Sequence, residues 1–117
     1  MIILKRIYEP YNKNDGYRIL VDRLWPRGIS KKEVKVDLWL KDVGPSNELR
    51  KWFNHEKEKW PQFRERYKDE LKEKKDLLLN LNNLLKQHKN ITLLYSAKDE
   101  RHNQAIIIAE MLNNFKK

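Results

Sequence analysis

Residues 91–112 read ITLLYSAKDERHNQAIIIAEML, and this run decides the fold. Residues 91–95, ITLLY, are almost continuously apolar and β-branched at the start, the pattern of a short strand covered on both faces. A polar stretch follows, and then a helical pattern with Ala105, Ile108, Ala109 and Leu112 on one face, its start expected near Asp99, a natural N-cap. Strand, loop and helix in this order form the repeating unit of α/β proteins. In open sheets of that class, ligands gather beyond the carboxyl ends of the strands, which here means Ser96, Lys98, Asp99 and His102.

Working outward, residues 2–8 (IILKRIY) read as a strand closed by Pro10, and 12–16 (NKNDG) as a turn. A further strand begins at Tyr17 and ends in DRLWPRG, residues 22–28. Direct pairing of these two strands would favour an antiparallel hairpin, and that pairing stays open. If the strand from Tyr17 instead runs parallel to 91–95, DRLWPRG and the 96–102 loop open on the same edge of the sheet. Ser30 with Glu33 fits a capping box for a short helix over KKEVK, and 36–44 suits strand or irregular chain. Ser46 is an N-cap for a helix to about Phe53, with His55 just beyond it. Trp60, Phe63, Tyr67 and Leu71 form one helical stripe and Leu77, Leu78, Leu81, Leu84 and Leu85 another, read as two consecutive helices separated by KEKKD. His88, near a helix end, suits the dipole there as a cation. The expected fold is α/β: one compact domain over residues 1–117, with a small, mostly parallel sheet flanked by helices.

The chain's 117 residues suit one domain with an ordinary core. With 26 Lys and Arg against 17 Asp and Glu, it carries a formal charge of +9, and the excess is spread through all three thirds rather than gathered in a tail. That balance favours anionic partners: nucleotides, phosphorylated metabolites, nucleic acid or an anionic surface. The absence of cysteine excludes disulfides and thiolate chemistry and points to a reducing, cytoplasmic setting. No segment approaches the roughly 20 apolar residues of a bilayer span, and the charged start MIILKR does not resemble a secretion signal.

The chemistry available at the expected edge is specific in kind. Arg23 or Arg27 would meet an anion as a bidentate fork, Lys98 as a point charge, and the helix starting near Asp99 through its free N–H groups. Asp22 would orient an arginine. Packing offers a competing explanation for part of this set, with Trp25 as a core anchor and Pro26 and Gly28 shaping a turn. Phosphate-binding glycine loops, the His-Glu-x-x-His helix, the Gly-x-Ser-x-Gly elbow and the calcium loop are all absent. His55, His88 and His102 lack metal-ligand spacing, so no metal and no cofactor are expected.

The stretches GYRILVDRLWPRGISK, WLKDVGPSNELRKWFNHE, WPQFRERYKDEL and LLYSAKDERHNQA together resemble the YeaO-like branch of the bacterial domain-of-unknown-function 488 family, from Tyr17 to Ala105. The resemblance implies a compact α/β domain. It carries over recurrent positions at Asp22, Arg23, Trp25, Arg27, Ser46, Arg50, His55, Tyr67, Lys98, Asp99 and Asn103. Other branches of the family look to have a Cys-His-Arg run after the last strand, where this chain has Asn103, Gln104 and Ala105. YeaO-like sequences tend to place a histidine where Gln104 stands. No thiol-based or histidine-dependent activity therefore transfers from those positions.

The resulting expectation is a cytosolic domain that binds an anionic small molecule at the carboxyl edge of its sheet through Asp22, Arg23, Arg27, Ser46, Arg50, Lys98, His102 and Asn103. One alternative is an enzyme in the same cleft, with His55 or Asp99 as acid–base candidates and Ser46 a weaker one. Another is nucleic-acid binding, drawn from the charge and from Trp25, Trp39, Trp52 and Trp60. A membrane partner is not expected, and oligomeric state is not legible.

Overall fold

The computed structural model describes residues 1–115. Its four strands are β1 (Ile2–Arg6), β2 (Tyr17–Leu20), β3 (Leu38–Trp39) and β4 (Ile91–Tyr95). They form one sheet in the order β1-β4-β2-β3, parallel throughout. The continuously apolar β4 takes the centre, pairing Ile2 to Ile91 through Arg6 to Tyr95 on one side and Tyr17 to Ile91 through Leu20 to Leu94 on the other. The strands at 2–6 and 17–20 therefore never pair with each other; β4 lies between them, and the chain 7–16 crosses the sheet to make both parallel to it.

The helices are α1 (Asn47–Phe53), α2 (Trp60–Lys72), α3 (Lys75–Gln87) and α4 (Gln104–Phe115). Their apolar stripes all meet one face of the sheet: Phe53, Phe63, Tyr67, Leu71, Leu81 and Ile108 pack with Ile19, Ile91 and Leu93 in the main core. Among the described residues the opposite face carries no α-helix. There Ile7, Leu20 and Leu94 are covered by Trp25, Ile29, Val34, Val36 and Trp39 from the crossover between β2 and β3. Beside them lies a buried polar cluster in which Asp15 accepts from Lys5 Nζ at 3.0 Å and Arg18 Nη1 at 3.1 Å, while Thr92 Oγ1 donates to the Asp15 carbonyl.

Three local expectations are corrected. The last helix begins at Gln104, because Asp99 instead closes a turn by accepting from the N–H groups of Arg101 and His102, and Asn103 Oδ1 takes the N–H of Ala105. Residues 31–34 form turns rather than a helix: the N–H groups of Glu33 and Val34 both reach the Ser30 carbonyl, and the chain then extends toward β3. His88 is not a simple dipole partner, since its ring stacks on Tyr17 with centroids 4.4 Å apart. The two-helix reading of 60–88 holds, with α2 and α3 meeting at Glu73–Lys74. Region 36–44 resolves into two-residue β3 followed by a 3-10 turn at Lys41–Val43.

Candidate functional site

Because β2 and β4 are adjacent and parallel, their carboxyl ends deliver residues 22–27 and 96–104 to one edge, where α1 also ends. Between these segments lies a cleft of about 420 Å³. Asp22, Arg23, Arg27, Arg50, His55, His102 and Asn103 line it together. Phe53 and Phe63, stacked with centroids 4.3 Å apart, supply an apolar wall.

Asp22 forms the floor, only 8 % exposed. Its Oδ2 accepts from the Ser96 N–H at 3.0 Å, and its Oδ1 accepts from Gln104 Nε2. Burial pushes the carboxyl above its ordinary value, while the bonds from Ser96 and Gln104 and the nearby His55 pull the other way. The folded state thus holds the Asp22 proton more tightly than the unfolded chain. Its contribution to stability is complete below the unfolded pKa and falls as pH rises through the raised folded one. Asp22→Asn removes that penalty and keeps the contacts, since the new amide oxygen accepts from Ser96 and Gln104 can turn its own oxygen toward the new amide. The variant should therefore melt no lower than wild type at pH 7 and show a flatter profile from pH 3 to 8. A large loss at pH 7 would mean that the ionised carboxylate is itself a stabilising element.

The other members differ in what holds them. Arg23 donates Nε to the Pro45 carbonyl at 2.8 Å and Nη2 to the Gly44 carbonyl at 3.0 Å, fixing the entry to α1. Trp25 closes the 22–28 turn by donating Nε1 to the Ile29 carbonyl, packing edge-on to Trp39, while Pro26 is buried and Gly28 supplies a φ of 75°. DRLWPRG is thus a closing turn and a cleft lip at once. Arg27 and Arg50 are exposed at the cleft, and among the described residues neither forms an ion pair. His55 follows Asn54 in left-handed backbone, φ 57° after 47°, a conformation uncommon outside glycine.

His102 sits on the cleft with Nδ1 2.9 Å from Asp99 Oδ2 and its ring edge-on to Trp60. The Arg101 N–H, with His102 adding to it, holds the Asp99 carboxyl below its usual value. An ionised Asp99 fixes the imidazole so that Nδ1 donates, which makes Asp99 an orienting group behind His102. Asn103 is buried, donating Nδ2 to the Asp99 carbonyl.

Ser46 and Lys98 do not line the cleft. Ser46 caps α1 by accepting from the Leu49 N–H and donates its own hydroxyl to Glu70 at 2.6 Å. Lys98 is exposed. The anion-binding helix end expected at Asp99 is satisfied from within, because Asp99 and Asn103 side chains already occupy its N–H groups. Sequence reasoning passed over Gln104 and Lys51 as site residues; the adjacency of Gln104 to Asn103 was the available signal. Among the described residues, no group of three or more His, Asp or Glu is gathered to hold a metal ion, and no helix is long and apolar enough to cross a membrane.

A small α/β domain with this cleft has relatives in sequence. Residues 1–116 match the family model described as "Inactive DUF488-N3 subclade", and the chain belongs to that family. It is similar to the uncharacterized protein YeaO of Escherichia coli (strain K12), 46 % identical over 110 residues covering 94 % of this chain and 95 % of that one. An uncharacterized protein of Mycobacterium tuberculosis (strain ATCC 25618 / H37Rv) is 38 % identical over 108 residues, 92 % of this chain and 90 % of the relative. No solved structure matches.

Proposed function

We infer that this protein is a cytosolic binding domain for an anionic small molecule, a nucleotide or phosphorylated metabolite, held in the cleft at the carboxyl edge of the sheet. The observation that carries this reading is the pairing of cations with an aromatic wall: Arg27, Arg50 and Lys51 line the same cleft as Phe53 and Phe63 and have no carboxylate partner among the described residues. Cations left unpaired beside a concave apolar surface suit a ligand with a phosphate at one end and a ring at the other. The family description, an inactive subclade, agrees with binding rather than turnover.

Melting temperatures against a panel of nucleotides and sugar phosphates test the reading. A ligand at about a hundred times its Kd stabilises by about 2.7 kcal/mol, a shift of several degrees in a domain of this size. Arg27→Ala and Arg50→Ala should each weaken that ligand about tenfold, roughly 1.4 kcal/mol, with little change in the unliganded melting point. If no panel member shifts wild type, or the arginine variants respond as wild type does, the cleft is not an anion site.

A second reading, acid–base catalysis in the same cleft, has the Asp99–His102 pair and His55 in its favour. It requires turnover of a bound ligand that His102→Ala abolishes without unfolding the chain.

A further inference from the structure

The helix-free face of the sheet differs in character from the rest of the surface. The crossovers 7–16 and 21–37 bring Tyr8 and Tyr11, 44 % and 48 % exposed, onto or beside it, together with the half-buried Trp25 and, from β3, Trp39. Each ring has a cation next to it. Arg6 lies 4.9 Å from the centre of Tyr8, Lys35 4.5 Å from Tyr11, and Lys31 5.3 and 5.5 Å from Trp25 and Trp39. Underneath, half-buried Lys5 and buried Arg18 share the single carboxylate of Asp15, so this layer adds one net positive charge. The exposed acids of these crossovers are Glu9, Glu33 and Asp37; Glu9 and Asp37 are held in place by the backbone N–H groups of Arg6 and Arg18 and keep their charge. The row has two defined ends. Tyr8 donates its hydroxyl to the Arg27 carbonyl at the cleft lip, and Lys35 borders an open groove of about 430 Å³ that Lys13 and Lys89 also line.

We propose that this face binds single-stranded nucleic acid, with bases stacked on the exposed rings and phosphates held by Lys31 and Lys35, while the Arg6 guanidinium stays fixed by its bonds to the Ser96 and Ala97 carbonyls. The energies order the contacts. An exposed cation–π pair is worth about 0.5–1 kcal/mol, whereas a base stacked on an aromatic side chain is worth about 1–3 kcal/mol. At Tyr11, Trp25 and Trp39 an arriving base therefore displaces the lysine from the ring, and the ammonium is left within reach of the phosphate. A duplex cannot do this, because its base faces are already stacked. An acidic peptide would neutralise the cations and leave the rings unused. This surface borders the cleft at Trp25 and the Arg27 carbonyl, and its binding does not depend on the cleft's ligand.

Fluorescence anisotropy with labelled oligouridylate and oligothymidylate of about twelve nucleotides, and with a duplex of equal length, tests the proposal. The single strands should bind at low salt and the duplex several-fold more weakly. Tyr8→Leu and Tyr11→Leu should each weaken the single strand about fivefold or more, at an unchanged melting temperature. Lys31→Gln with Lys35→Gln should flatten the slope of log K against log salt by about 1.4. Lys86→Gln, which removes one charge from exposed α3, should leave affinity unchanged. Absence of binding at low salt, equal affinity for the duplex, or loss on Lys86→Gln matching that of the face variants would overturn the proposal.

Discussion

Gly16→Ala should cost about 2–6 kcal/mol and lower the melting temperature by about 10–20 °C, enough to leave much of the chain unfolded at physiological temperature. Gly16 precedes β2 with φ 68° and ψ −135°, a region of backbone space that is essentially glycine's alone. A Cβ there would lie 2.1 Å from the Asn90 carbonyl oxygen and 2.8 Å from its carbon. That oxygen cannot retreat, because it accepts the Tyr17 N–H at 3.0 Å in the first link between β2 and β4. The two penalties add: about 1–3 kcal/mol for the backbone and a similar amount for the overlap. Gly28→Ala separates them, since Gly28 has φ 75° but nothing within 4 Å of the added carbon, so it should lose only the backbone part. The two variants are compared by thermal or urea unfolding. Equal, small losses in both would show that the 12–16 turn shifts freely and does not set the register of the sheet.

The same position marks where sequence reading stops. NKNDG is legible as a turn because its residue types tolerate positive φ, yet the contact that makes Gly16 indispensable is with Asn90, far away in the chain. The general arrangement was legible for a similar reason in reverse: 91–95 is too apolar for an edge strand, the 60–88 stripes carry the helical period, and parallel neighbours must open their loops on one side. That logic placed Asp22, Arg27 and His102 around one cleft, and the family resemblance added Arg50 and His55. It did not place Ser46, whose partner is Glu70 on a different helix, nor the gathering of all four helices on one face, because the crossovers covering the other face have no period to read. The start of α4 was misplaced by competition between two good caps, Asp99 and Asn103, and the chain uses the first for a turn and the second for the helix.

Arg23→Lys should destabilise the protein by about 2–4 kcal/mol, although it keeps the charge. The segment between β3 and α1 has little regular structure, so its carbonyls depend on side chains arriving from elsewhere. Lys74 donates to Asp42 at 2.7 Å, Tyr67 to Val43 at 2.6 Å, and Arg23 to Gly44 and Pro45 together. Lysine carries all its donors on one nitrogen and cannot reproduce the Nε and Nη2 fork that spans the two carbonyls at 2.8 and 3.0 Å. Lys74 is the nearest substitute, 3.4 Å from the Gly44 oxygen, but it already serves Asp42, and its own burial, with the Arg23 charge adding to it, depresses its pKa. The expected result is a fall in melting temperature together with weaker ligand binding in the cleft, because Pro45 and the start of α1 lose their fixed position. Arg27→Lys, on an exposed side chain with no such duty, should keep the melting point and weaken binding more modestly. If Arg23→Lys instead preserved stability while abolishing binding, its guanidinium would be a direct ligand contact, and the carbonyl bonds to Gly44 and Pro45 would be replaceable. A loss of stability that raising the ligand concentration offsets assigns Arg23 to positioning, since a ligand that still binds the folded state restores it by mass action.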